Sequence, residues 1–166
     1  MKLKIAIIVM LVNALACATT GDIPVVKQPE EAAKVLSESL ISILKKITIT
    51  EKVTVAIMPF GGPKGKPTTF GKKMADLIQA KLLGYQWILV ERNRIDSIIK
   101  EKTLITAGVI EEKNFIEIGT IMGADYAITG TTYYGKKALV VAKVIDISTG
   151  TVVGMAQVYI DFRDYE

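Results

Sequence analysis

The chain of 166 residues is half hydrophobic and only 7% aromatic, which suits one globular domain with a short extension rather than two cores. It has no histidine and a single cysteine, which excludes histidine acid–base chemistry, Cys–His nucleophiles, disulfides within the chain and ordinary zinc sites. The formal charge of +4 is a diffuse lysine excess without a dense basic cluster, so we expect no nucleic-acid partner.

Residues 1–16 predict a signal peptide. Lys2 and Lys4 give a basic start, and the apolar stretch that follows is too short for a spanning helix, which needs roughly 20 residues. We expect cleavage between Ala16 and Cys17, because small residues precede this point. A cysteine directly after the cleavage point is what bacterial lipoprotein processing requires, since its thiol takes up the diacylglycerol.

The lipobox match is incomplete, because the usual leucine three positions before the cysteine is Ala14 here and Leu15 stands one place late. We predict lipidation of Cys17, with each buried methylene contributing ~0.8 kcal/mol to anchoring. The alternative is an incidental thiol, either in a retained anchor or after a plain cleavage site. Residues 17–29 contain Gly21 and two prolines and predict a lipid-anchored tether.

The remaining residues, 30–166, predict a single domain of the α/β (α+β) class. Helical spacing of apolar residues alternates with short apolar runs, and a three-strand antiparallel meander follows. We expect a mixed sheet of about five strands: two N-terminal strands in βα units, parallel to each other, then the meander, with helices packed on the sheet. The predicted helices are 30–47, 69–82 (closed by Gly84), one starting at Arg92, and 112–122 after a polar connection at 101–114. The predicted strands are 53–58, 87–90, 124–134, 138–147 and 151–160, the last two joined by Ser148-Thr149-Gly150.

The loop at residues 61–68 is rich in glycine and lysine and lies between a strand and a helix, the place of a phosphate-binding loop. A Walker A loop needs Gly, four residues and then Gly-Lys-Ser/Thr. Here only three residues separate Gly61 from Gly65, and Pro67 follows Lys66 where a hydroxyl is needed. The sequence favours a mobile lip beside a helix N-terminus, with nucleotide or small-ligand binding as the weaker alternative.

Glu91 and Arg92 follow a parallel strand, where α/β proteins often bind ligands. We favour a structural role over a small-molecule site: Glu91 pairs with a base and Arg92 braces the helix start. Tyr126, Tyr133 and Tyr134 are core, edge or interface residues, and alternation puts Tyr133 on the opposite face from the other two. The aspartates are scattered without the paired spacing of glycosidase or calcium sites. We therefore predict no enzyme and no catalytic, cofactor-binding or metal-binding residues; the aspartates are Asp76, Asp96, Asp125, Asp146 and Asp161.

Six phrases follow one another along the chain: VAIMPF at 55–60, the helix at 69–82, VER at 90–92, IKEK at 99–102, GTIMGADYAITG at 119–130 and DISTG at 146–150. Together and in this order they resemble the superfamily of CsgG-like, FlgO-like and LpoB-like bacterial envelope lipoproteins, with the FlgO-like type closest. This resemblance implies a non-catalytic outer-membrane lipoprotein that faces the periplasm, touches the membrane through its lipid anchor only and binds envelope proteins. It implies curli export, a flagellar outer-membrane role or activation of a peptidoglycan synthase, and it allows a homo-oligomer.

The chain departs from the pore-forming CsgG-like group, which carries two long insertions that become membrane hairpins. Only 31 residues separate Glu91 from Gly123, and the turn between Tyr134 and Ala138 is tight. We therefore expect no pore formed by this chain alone. The compact chain favours a flagellar outer-membrane or secretion accessory role, with an LpoB-like activator of a peptidoglycan synthase as the alternative.

Metabolic labelling with a palmitate analogue tests the predicted anchor. We expect label on the wild-type protein and none on the Cys17→Ala variant, because this thiol is the attachment point. A wild-type protein without label contradicts the prediction.

Overall fold

The computed structural model of the protein describes residues 22–48, 52–105 and 112–162. The predicted cleavage and lipidation site at Ala16 and Cys17 lies outside these residues. The elements are β1 (Val25–Val26), α1 (Pro29–Ile47), β2 (Thr54–Ile57), α2 (Thr69–Leu82), β3 (Ile88–Leu89), α3 (Arg92–Ile105), α4 (Glu112–Met122), β4 (Tyr126–Tyr133), β5 (Ala138–Asp146) and β6 (Val152–Ile160).

The strands form one mixed sheet of six in the order β1-β6-β5-β4-β2-β3. The predicted parallel pairing of β2 with β3 and the antiparallel meander of β4, β5 and β6 are both confirmed. The β2–β3 pair joins the meander where β2 pairs in parallel with β4. The meander turn has the expected left-handed glycine, since Gly150 has φ 70°.

The sixth strand, β1, lies in the segment predicted as a tether. It pairs in parallel with β6, where Tyr159 N–H donates to the carbonyl of Pro24 and Asp161 N–H to that of Val26, both at 2.8 Å. A strand of two residues has no periodicity, so the sequence carries no signal for it. The chain therefore joins the sheet before α1 begins.

The helices pack on both faces of the sheet because alternate residues of β2 point to opposite sides. Val55 and Ile57 lie in a core with α1 and α2, whereas Ala56 lies in a second core with α3 and α4. The charges of α1 suit its macrodipole, with two glutamates in its first turn and two lysines in its last. Among the described residues, no helix has the length and apolarity needed to cross a membrane.

Two predicted boundaries are wrong. The polar connection expected from residue 101 begins later, because α3 continues to Ile105, while α4 starts at Glu112 as predicted; residues 106–111 lie outside the described part. The C-cap of α2 is Leu83 in right-handed conformation rather than Gly84, because the helix ends on a backbone hydrogen bond from Leu83 N–H to Gln79 at 3.1 Å.

Phe60 joins β2, α2 and β4. Its N–H donates to the carbonyl of Gly71 at 3.2 Å, and its carbonyl accepts from Thr68 N–H at 3.3 Å. The ring is fully buried and lies on Gly130 of β4, where a Cβ would overlap it. A Cβ at Gly71 would likewise overlap the Phe60 carbonyl oxygen. The close contacts of Phe60 therefore require glycine at both position 71 and position 130.

Gly71→Ala is expected to lower the free energy of unfolding by about 2–3 kcal/mol, because the overlap with Phe60 outweighs the roughly 1 kcal/mol by which alanine favours a helix. Chemical denaturation measures this change. Gly84→Ala is the control, since no atom lies within 4 Å of its Cβ position, and should change stability by less than about 0.5 kcal/mol. Equal stability of the two variants would contradict the packing argument.

Candidate functional site

The loop at residues 61–68 is held in place by backbone hydrogen bonds, whereas the sequence predicted a mobile lip. Gly61 forms bridges with Pro67 and with Thr131 of β4. Three loop N–H groups donate to carbonyls: Gly61 to Gly130, Gly62 to Lys66 and Gly65 to Gly62, each at 2.9 Å. A phosphate cradle needs such N–H groups directed at the ligand. The geometry therefore weakens the nucleotide-binding alternative.

A cavity of about 160 Å³ lies between this loop and the sheet. Its walls combine apolar groups such as Phe115 and Pro59 with polar ones such as Thr129 and Lys143. Ligand pockets for drug-sized molecules are typically about 300–1,000 Å³, so this cavity suits one side chain of a partner better than a nucleotide.

Arg92 has the structural role that the sequence favoured. Its Nη1 donates to the carbonyl of Ile57 at the end of β2 at 2.9 Å. Its guanidinium also contacts Asp76 of α2, with Nε–Oδ1 at 3.4 Å, and Asp96 of α3, with Nη2–Oδ1 at 3.5 Å. Arg92 thus joins helices on both faces of the sheet to β2. The expected partner of Glu91 is wrong: its carboxylate accepts from the amide of Asn93 at 3.2 Å.

At the other end of the sheet, Asp125 and Asp146 border a cleft of about 620 Å³. Both carboxylates accept hydrogen bonds from the chain nearby. Asp125 accepts from the backbone N–H of Thr54 at 2.7 Å. Asp146 accepts from the Ser148 hydroxyl at 2.6 Å and from the Ser148 backbone N–H at 2.9 Å. The Ser148 hydroxyl is the largest cause that holds the pKa of Asp146 below its usual range, with turn N–H groups adding to it. Burial, and then the two aspartates, raise the pKa of Tyr126.

No group of three His, Cys, Asp or Glu side chains that could hold a metal occurs within residues 22–48, 52–105 and 112–162. Within these residues, the aspartates named in the sequence analysis therefore do not come together as a metal site. Each described aspartate that the sequence singled out has a structural contact nearby, such as the ion pair of Asp161 with Lys137 at 3.8 Å.

An exposed apolar edge lies along β3, and the sequence missed it. Leu83 is 67% exposed and Ile88 52% exposed. The Tyr85 ring stacks on Trp87 with centroids 5.2 Å apart, and Lys45 Nζ lies 4.9 Å from the Tyr85 centroid. The apolar run at 87–90 predicted a strand, and this strand, β3, is the edge of the sheet and turns Ile88 to solvent. We call Leu83, Tyr85 and Ile88 the β3 edge patch.

The tyrosines of β4 lie on the predicted faces. Tyr126 packs against the core beneath α1 and α2, while Tyr133 on the opposite face is 47% exposed. Tyr134, just beyond the strand, is also exposed.

The family described as curli production assembly/transport component CsgG matches residues 37–163. The LpoB C-terminal domain from Salmonella enterica has a TM-score of 0.56 at 11% identity, covering 77% of this chain and 96% of that one. The LpoB C-terminal domain from Escherichia coli has a TM-score of 0.56 at 9% sequence identity, and the match covers 78% of this chain and 97% of that one. Lipoprotein GNA1162 from Neisseria meningitidis has a TM-score of 0.50 at 15% sequence identity, and the match covers 66% of this chain and 80% of that one.

At these identities the solved structures show a shared fold and nothing of shared activity. No curated protein matches the sequence.

The Asp146 turn predicts a pH-dependent stability. Because the folded pKa of Asp146 lies below its unfolded value of about 3.9, the stabilisation is present above that value and is lost as pH falls through the folded pKa. Asp146→Ala should lower the free energy of unfolding by about 1 kcal/mol at pH 7, and the difference from wild type should shrink below about pH 4.

Urea denaturation at pH 7, 5 and 3.5 measures this difference. Glu38→Ala is the control, because Glu38 is an exposed acid on α1. A difference between Asp146→Ala and wild type that does not change with pH would contradict the role of the ionised carboxylate.

Proposed function

Because the chain belongs to the CsgG family, we propose that it is a non-catalytic lipoprotein domain of the cell envelope that binds other envelope proteins. It is anchored to the outer membrane through the lipid on Cys17 and faces the periplasm. Its role is that of an accessory protein in flagellar outer-membrane assembly or in secretion.

The family match carries this proposal. It spans residues 37–163, and so takes in most of α1, the whole sheet except β1 and every other helix. The predicted signal peptide and Cys17 precede this region, in the arrangement of an exported lipoprotein. The fold likeness to a solved structure titled as a lipoprotein, GNA1162, agrees with that arrangement.

The β3 edge patch is the surface that suits a protein partner. Ile88 N–H and Val90 N–H donate to the carbonyls of Val53 and Val55 at 2.9 and 3.0 Å, so the backbone groups of Leu89 between them point outward. An extended segment of a partner can add to such an edge through main-chain hydrogen bonds. Exposed apolar and aromatic side chains beside the edge then supply the buried contact area.

A second candidate is an LpoB-like activator of a peptidoglycan synthase. The fold supports it, since the LpoB C-terminal domain from Salmonella enterica is covered over 96% of its length. The two candidates share the mode of action, which is binding to an envelope protein, and differ in the identity of the partner. A second copy of the chain at the same edge would make a homo-oligomer.

Photo-crosslinking in the native bacterium tests the proposal. A benzophenone amino acid at Ile88 should crosslink to an envelope protein, identified by mass spectrometry as a flagellar, secretion or cell-wall protein or as a second copy. The same probe at Val152, which is 44% exposed at the other end of the sheet, is the matched control and should give no such product.

The identity of the crosslinked protein ranks the candidates, because a peptidoglycan synthase supports the LpoB-like role and a flagellar or secretion protein the accessory role. A cytoplasmic partner would contradict the proposed location. Equal products at the two probe positions would contradict the β3 edge patch as the binding surface.

A further inference from the structure

A row of four side chains crosses the sheet beside the β4–β5 turn. Val25 pairs with Tyr159, Tyr159 with Leu139, and Leu139 with Tyr133, so these residues lie side by side from β1 to β4. With strands about 4.8 Å apart, the row is roughly 14 Å long. We call these four residues the apolar row.

The apolar row faces away from α1 and α2. Side chains alternate along a strand, and the next residues on β1 and β5, Val26 and Val140, pack in the core beneath these helices. The two ends of the row, Val25 and Tyr133, are 52% and 47% exposed, and the two residues between them are half-buried. A sheet face open to water is normally polar, so an aliphatic and aromatic row indicates a surface that is covered when the protein works.

Tyrosine and lysine side chains border this row. Tyr134 and Lys136 are exposed in the β4–β5 turn, next to Tyr133. Lys64 and Lys66 are exposed on the loop whose cavity Tyr133 also lines. Tyrosine favours the interface between lipid and water, and an anionic lipid surface attracts the positive charge of a nearby lysine.

The position of the row relative to Cys17 indicates which surface covers it. Val25 lies eight positions after Cys17, and the backbone between them spans at most about 29 Å. A lipid on Cys17 therefore holds the row close to the bilayer, and the high effective concentration lets a weakly binding surface dock. This step rests on the lipidation in the proposed function.

We propose that the apolar row and the flanking lysines dock on the anionic phospholipid surface of the membrane that carries the anchor. The domain then lies with β1 and the β4–β5 turn against the lipid. The β3 edge patch is at the opposite edge of the sheet, five strand spacings or roughly 24 Å from β1, and α3 and α4 pack on the sheet face between them. A partner can then reach it from the periplasm.

Thiol accessibility on the full lipidated protein tests this docking. The chain has one cysteine, so Val25→Cys, Tyr133→Cys and Ile88→Cys each introduce a single new thiol. The proteins are reconstituted in phosphatidylethanolamine–phosphatidylglycerol vesicles and labelled with a membrane-impermeant maleimide. Each rate is divided by the rate of the same protein unfolded in urea. Ile88 is the matched control, because its 52% exposure equals that of Val25.

The expected result is labelling about tenfold slower at Val25→Cys and Tyr133→Cys than at Ile88→Cys, with the protection weakened in phosphatidylcholine vesicles or high salt. Two substitutions on different strands guard against a misfolded variant, and circular dichroism checks each fold. Equal rates at all three sites overturn the docking. Protection in intact cells but not in vesicles also overturns it, because a protein would then cover the row.

The wild-type protein separates this proposal from the one it rests on. A lipidated Cys17 has no free thiol and leaves the wild type unlabelled. A labelled wild-type protein would contradict the proposed lipid anchor and, with it, the docking proposal. An unlabelled wild-type protein with equal labelling rates at the three sites would contradict the docking proposal alone.

Discussion

The fold depends on the close approach of Phe60 to two glycines. The residue ends β2 and packs its ring on Gly130 of β4, while Gly71 brings the start of α2 against its backbone. The parallel unit of β2, α2 and β3 is thereby fixed to the antiparallel meander on the α1–α2 face. Arg92 links the two faces of the sheet by charge, since it joins α2 and α3 to the end of β2. These contacts occupy the end of β2 at which α/β proteins often bind ligands.

Groups that resembled a ligand site in the sequence therefore serve the scaffold. The N–H groups of the glycine loop bond to carbonyls, Arg92 braces strands and helices, and Asp146 closes the β5–β6 turn. What remains for recognition is the surface. Two apolar parts of it lie towards opposite edges of the sheet, the β3 edge patch on one side and the apolar row, starting at β1, on the other.

The sequence predicted those elements whose pattern is local. The bounds of α4, the parallel β2–β3 pair and the Gly150 turn follow from helical spacing, apolar runs and turn chemistry. The sequence did not predict features that depend on contacts between residues far apart in the chain. A two-residue strand such as β1 needs β6 to exist, and Ile88 is exposed on the strand that forms the edge of the described sheet. The contact of Phe60 with Gly130 joins residues seventy positions apart, and one sequence carries no sign of it.

The central claim is that Cys17 anchors this domain and so sets which sheet edge meets the membrane and which meets a partner. Mass spectrometry of the N-terminal peptide of the mature protein, purified from the native envelope, tests this claim most directly. The expected peptide begins at Cys17 and carries a diacylglyceryl group and a third acyl chain. A peptide beginning at Met1, or one beginning at an unmodified Cys17, would contradict the claim.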